Sequence, residues 1–107
     1  MLSEAPARLL HTAGVVPVRP DGSVPGDVGE QADVVWDSIS AILAEAGMAL
    51  SDVVSVTTYV VAGEDLGPVM AARDRAIGGH LCASTLVTVP ALARPAWRVE
   101  IAVVAAA

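Results

Sequence analysis

Along the chain, the spacing of apolar residues alternates between strand-like and helix-like periods, and the switches between them delimit six elements. Residues 9–18, LLHTAGVVPV, predict a strand interrupted by Gly14 and stopped by Pro17. The Pro- and Gly-rich RPDGSVPGD that follows predicts a turn. From Val28, apolar residues recur at Ala32, Val35, Ile39, Ile42 and Ala46, intervals of four and three that make one helical stripe. Asp27 stands at the N-cap position with Glu30 at capping-box spacing, and Gly47 stands where a left-handed cap closes a helix. Residues 51–61, SDVVSVTTYVV, are β-branched almost throughout and predict a strand. Residues 64–77 predict a second helix, with Gly67 and Pro68 in its first turn and Leu66, Val69, Met70, Arg73, Ala76 and Ile77 on one side. Residues 82–89 and 97–106 predict the last two strands, joined by PALARPA, while residues 3–8 are expected to be a loose or edge segment.

The order β-α-β-α-β-β predicts an α+β sandwich, a mixed sheet with two helices on one face. Strict alternation places Val54, Val56 and Val60 on one face of the second strand and Val53, Tyr59 and Val61 on the other. In the last strand Val99, Ile101 and Val103 oppose Ala102 and Val104. Both faces are therefore apolar, yet two helices can cover only one. The expectation is a closed homo-oligomer in which the second face packs against other copies.

With 107 residues, a single domain spanning 1–107 is expected. Hydrophobic residues make up 54% of the chain, but the longest apolar run, IAVVAAA, falls far short of the ~20 residues that span a bilayer. No basic segment precedes an apolar one at the start, and the single cysteine fits a reducing compartment, so a cytoplasmic protein is expected. The six basic residues are all arginines, which excludes Schiff-base chemistry on a lysine amine. A net charge of −6 argues against nucleic acid and anionic membranes as partners. Neither a metal nor any other cofactor is expected, and the Ala-, Val- and Arg-rich composition suggests a GC-rich bacterial source.

The sequence resembles the Rid proteins, the reactive intermediate deaminases also called YjgF-like. The resemblance runs from about Leu9 to the C-terminus. It is carried by TAGVVPV, DGSVPGDVGEQADVVWDSISAILAEAG, LSDVVSVTTYVV, the helix start EDL and the late VEI, in that order and spacing. It implies a chorismate-mutase-like α+β fold and a homotrimer with ligand clefts between subunits. It also implies hydrolysis of enamine and imine intermediates to a ketone or keto acid and ammonia.

That chemistry uses an arginine, in a Pro-Ala-Arg-Ser-like motif opening the penultimate strand, to hold a substrate carboxylate. It also uses a carboxylate to position and activate water. The resemblance puts the carboxylate on Glu100; the residues alone favour a structural ion pair across the sheet, and the resemblance makes the two readings even. The arginine position falls on Ala83 and the proline before it on Leu81. The Ser and Gln of a TSGQ-like turn are Ala13 and Val15, a helix asparagine aligns near Met70, and a cysteine position is Thr85. The segment that brings a tyrosine to the cleft in many members is too short to be recognised. The implied ligand-lining residues are thus Ala13, Gly14, Val15, Cys82, Ala83, Ser84 and Thr85.

His80 and Cys82, two apart, could share a strand face, but metal binding needs a third ligand and a Cys-His nucleophile needs an orienting group. A packed cysteine and a loop histidine are the simpler reading. Trp36 and Trp97 are expected in packing or as a cleft wall. Arg94 and Arg98 are candidates to replace the lost arginine, and Arg98 shares the face of Glu100, where an ion pair would tie it up. Two functions follow from the resemblance. One is a divergent deaminase whose imine or enamine substrate lacks a carboxylate or presents it to another arginine. The alternative is a non-catalytic trimer that binds a small metabolite, with a purely structural role as a third reading. An endoribonuclease activity, sometimes attached to the family, fits poorly with the acidic charge and missing lysine.

Overall fold

The computed structural model describes residues 8–107. The loose segment expected over residues 3–8 lies, apart from Arg8, outside them. In chain order the elements are β1 (Leu9–His11), α1 (Val28–Glu45), a 3-10 turn (Leu50–Asp52), β2 (Val53–Val61), α2 (Leu66–Ile77), β3 (Ala83–Val89) and β4 (Val99–Ala106). One mixed sheet runs β1-β4-β2-β3. β4 pairs antiparallel with β1 and β2, and β3 pairs parallel with β2, returning through α2. The expected α+β fold, with both helices against one face, is the observed one. No helix among the described residues is long and apolar enough to cross a membrane.

Local chemistry sets the element boundaries. Asp27 caps α1 by accepting from the Glu30 N–H at 3.0 Å, and Gly47, at φ 71°, turns the chain out of it. Arg8 donates to the Ala46 carbonyl at 2.6 Å, tying the start of β1 to this helix end. In α2, Asp65 rather than Glu64 is the cap, with its carboxylate on the Gly67 N–H at 3.0 Å, so the helix starts at Leu66. The second strand starts at Val53, two residues later than expected, because Asp52 bonds back to the Ala49 N–H at 2.8 Å and closes a 3-10 turn. β4 starts at Val99, since the Trp97 N–H is turned back onto the Arg94 carbonyl. In the loop before α1, the Ser23 hydroxyl and backbone N–H both donate to Asp21, which holds that exposed carboxyl below its ordinary pKa.

The expected first strand, residues 9–18, is cut short after His11. Thr12 stays on β4 through its N–H and hydroxyl, both bonded to Val103, and only Val15 rejoins, as an isolated bridge to Ile101. Leu9 pairs with Ala106 but Val15 with Ile101, so one extra residue is accommodated between them, at Ala13–Gly14.

The core lies between the sheet and the helices, and three expected positions differ. A bulge between Val53 and Ser55 reverses the parity of β2, so that Val53, not Val54, shares the buried face with Val56, Thr58 and Val60. On α1 the buried stripe continues from Ile39 to Leu43 rather than Ile42, and on α2 Val69 and Ala72 are buried while Met70 is exposed. A true period of 3.6 selects the four-residue step in α1, where the three-residue step had been expected. Gln31 is fully buried and fully bonded: its amide donates to the Pro25 and Ala96 carbonyls and its oxygen accepts from the Arg98 N–H, all at 2.9 Å. This clamp fixes the entry to β4, two residues before Glu100.

Candidate active site

The face of the sheet away from the helices carries Thr57, Tyr59 and Val61 of β2, Glu100, Ala102 and Val104 of β4, and Ala83, Thr85 and Val87 of β3. Glu100 is half-buried and in register with Tyr59. Its carboxylate lies directly over Gly14, where an added Cβ would fall 2.6 Å from the Glu100 Cδ. Gly14 is thus a glycine because the irregular turn of backbone at Ala13–Gly14 forms the wall of the carboxylate's niche.

Among the described residues Glu100 makes no ion pair and no side-chain hydrogen bond. The ion pair that had been its competing role does not form, because Arg98 turns to Glu64 at 3.1 Å, with both side chains mostly buried. Arg94 is also committed, its guanidinium 5.8 Å from the centroid of the Trp97 ring. Within the single chain neither arginine lies on β3 beside Ala83.

The predicted ligand-lining residues divide between the two faces. Ala13 and Gly14 are exposed next to Glu100, whereas Val15 pairs with Ile101 and packs against the core. Ala83 and Thr85 share the open face with Glu100, but β2 lies between their strands. Through β2, Ala83 is level with Val104 and Thr85 with Ala102, four and two residues along β4 from Glu100. Two strand spacings and a four-residue offset put Ala83 roughly 16 Å from Glu100. In the single chain the two sets of predicted site residues are therefore well separated. Cys82 packs against the core, just before β3, and Ser84 faces the helix side.

His80 and Cys82 do not share a strand, since β3 begins only at Ala83. His80 donates from Nε2 to the Val53 carbonyl at 2.8 Å, which ties the α2–β3 loop to the start of β2 and assigns the tautomer. Among the described residues no three His, Cys, Asp or Glu side chains converge to form a metal cluster. Trp36 is buried between the helices and the sheet as a packing residue, its indole N–H without a partner among the described residues.

Arg73 lies on the packed side of α2, as expected, and its guanidinium reaches across to β3. NH1 donates to the Ser84 hydroxyl at 3.3 Å, while Nε and NH2 hold Asp74 at 3.2 and 3.0 Å. Arg73, Asp74, Ile77, His80, Cys82 and Ser84 line a cleft of about 300 Å³ at the open end of β3. The signal in the sequence was the charge itself, an arginine inside an otherwise apolar stripe.

The model of the family described as endoribonuclease L-PSP matches residues 3–107. The chain belongs to this family, the Rid or YjgF-like proteins. It is 45% identical over 53 residues to a RutC family protein of Pyrococcus abyssi, covering 48% of this chain and 42% of that one. It is 34% identical over 73 residues to a 2-iminobutanoate/2-iminopropanoate deaminase of Escherichia coli, covering 67% of this chain and 57% of that one. The matched segments thus span about half the length of these curated relatives. Among solved structures, the YyfB protein of the Rid family from Yersinia pestis superposes with a TM-score of 0.87 at 29% identity, covering 98% of this chain and 83% of that one. The YjgF gene product of E. coli superposes with a TM-score of 0.85, also at 29% identity, over 98% and 84%. The Rid fold is thus reached from both sequence and structure.

Proposed function

We propose that this Rid protein is a hydrolytic deaminase of small imines and enamines, with Glu100 as the group that positions and activates water. The observation that carries this reading is the Glu100 carboxylate on an open sheet face that carries no lysine or arginine, in a niche walled by Gly14 and without an ion-pair partner among the described residues. A carboxylate so placed is an acceptor with free lone pairs beside apolar surface, which is what general-base assistance to a water requires. In the reaction the water oxygen adds to the imine carbon while Glu100 takes a proton. That proton passes to the nitrogen to give the carbinolamine, whose hydroxyl proton then follows by way of Glu100 as the C–N bond breaks, so that ammonia and the carbonyl product leave.

The active unit is a homo-oligomer, a trimer by family resemblance. Two observations support this. The open face is apolar and lacks a helix of its own, and the Glu100 and Ala83 half-sites are too far apart in one chain to hold one small substrate. Glu100 of one copy and the β3 region of another would complete a cleft between them. Hydrolysis of RNA is not favoured, because the chain is acidic and the open face of the sheet carries no lysine or arginine among the residues placed there, only His11 of β1 opposite Val104.

The test is ammonia release above the spontaneous rate, from imines generated in situ from amino acids and from simple amines. Acceleration lost in Glu100→Ala supports the reading. A folded protein that accelerates none of them is a binding module instead.

A further inference from the structure

On the helix layer, away from the sheet face that carries Glu100, a groove of about 470 Å³ runs between α1 and α2. Trp36, buried, lies at its floor, and the exposed Asp33, Asp37 and Ser40 of α1 stand on its rim. Their spacings of three and four put them on one flank of that helix. Ala72 and Ala76 face the groove from α2, and such short side chains leave the gap beside the indole open. We propose that this groove is a second binding site, for a small organic cation that carries a neutral oxygen acceptor, as amino amides and amino alcohols do.

The decisive observation is the indole N–H. Trp36 is only 4% exposed, and its Nε1 is the one buried side-chain nitrogen or oxygen without a hydrogen-bond partner among the described residues. Orphaned buried donors are uncommon because they forfeit their hydration. An indole N–H can only donate, so the missing partner is an acceptor. The nitrogen is closed to solvent, and an acceptor reaches it as the exposed side chains of the rim change rotamer, which they do rapidly.

Charge selects the rest of the ligand. Arg75 pairs with Asp33 at 2.9 Å, whereas Asp37 makes no ion pair among the described residues. The groove therefore has one uncompensated negative charge, which an ammonium group complements and a carboxylate would oppose. Leu50, Ala72 and Ala76 offer apolar wall for a short aliphatic part. The ligand thus sets its ammonium on Asp37 and its oxygen against Trp36. Nothing in this site involves Glu100 or a second copy, so it stands or falls apart from the deaminase reading.

The experiment follows the indole N–H resonances by NMR. The chain has two tryptophans, and Trp97→Phe leaves the Trp36 signal alone for assignment. L-alaninamide is titrated beside isopropylamine, which lacks the acceptor, and propanamide, which lacks the charge. Alaninamide is expected to move the Trp36 indole proton downfield and saturably, with a Kd of roughly 1 mM for so small a ligand, while Trp97 stays in place. Each of the other two probes should bind about 10-fold more weakly or worse. Asp37→Asn should weaken alaninamide by about 10-fold, and Asp21→Asn, the same change on a distant loop, should match wild type. Ala76→Leu should fill the groove and abolish the shift. A Trp36 resonance that ignores alaninamide, or follows isopropylamine equally well, overturns the proposal. So does a natively folded Asp37→Asn protein whose Kd stays within twofold of wild type.

Discussion

The two faces of the sheet are built from the same strands but under different constraints. Toward the helices, Val53, Val56, Val60, Val99, Ile101, Val103 and Ala105 are all buried, and their volumes are fixed by what packs on them. On the other side Thr57, Tyr59, Glu100, Ala102 and Val104 are only half-covered. The covered face is a stability device, where shape decides. The open face is where this chain places its one unpaired strand carboxylate and where a second copy has room to pack. The lesson is that burial in the single chain marks the residues that hold the fold, while partial burial marks those left free to meet a ligand or a second copy.

Substitutions should separate the two faces. The largest effect is expected for Ile101→Ala on the covered face, a loss of about 2–5 kcal/mol of stability from the cavity left under α1, read by denaturant unfolding. A smaller effect, on activity, is expected from Gly14→Ala. The new methyl displaces the flexible Glu100 carboxylate, so turnover should drop by up to about 10²-fold while unfolding changes little. A wild-type rate in Gly14→Ala would mean that the carboxylate's position there does not matter. The smallest effect on the chain's own fold is expected from Val104→Arg, three residues along β4 from Ile101 but half-exposed on the open face. Its circular dichroism spectrum should be native, while sedimentation should report monomer under conditions where the proposed oligomer of the wild type is expected. An unchanged oligomer would remove the open face as the interface.

Most of the fold was legible because its signals are local. The Asp27 cap, the Gly47 turn and the alternation in residues 99–105 each depend on neighbours in sequence. What was not legible depended on pairing. The bulge at Val53–Ser55 is imposed by β4 and reversed the faces at the start of β2, and the extra residue at Ala13–Gly14 exists only relative to β4. In the candidate site, Glu100 was reached through the family resemblance, since the strand alone favoured an ion pair. Its relation to Gly14 could not be read, since the two are far apart in the chain and meet only across β1 and β4. The partners of Arg98 and Arg73 were equally hidden, since both bonds are tertiary contacts that α2 and its start bring about.

The central claim, that the open face is catalytic through Glu100, is tested most directly by Glu100→Gln. This change removes the charge and keeps the shape. The account predicts that ammonia release from 2-imino acids falls by about 10²-fold or more. It also predicts that the thermal midpoint stays within about 3 °C of wild type, as expected for a half-exposed side chain without partners. A Glu100→Gln protein that hydrolyses imines at the wild-type rate would contradict it.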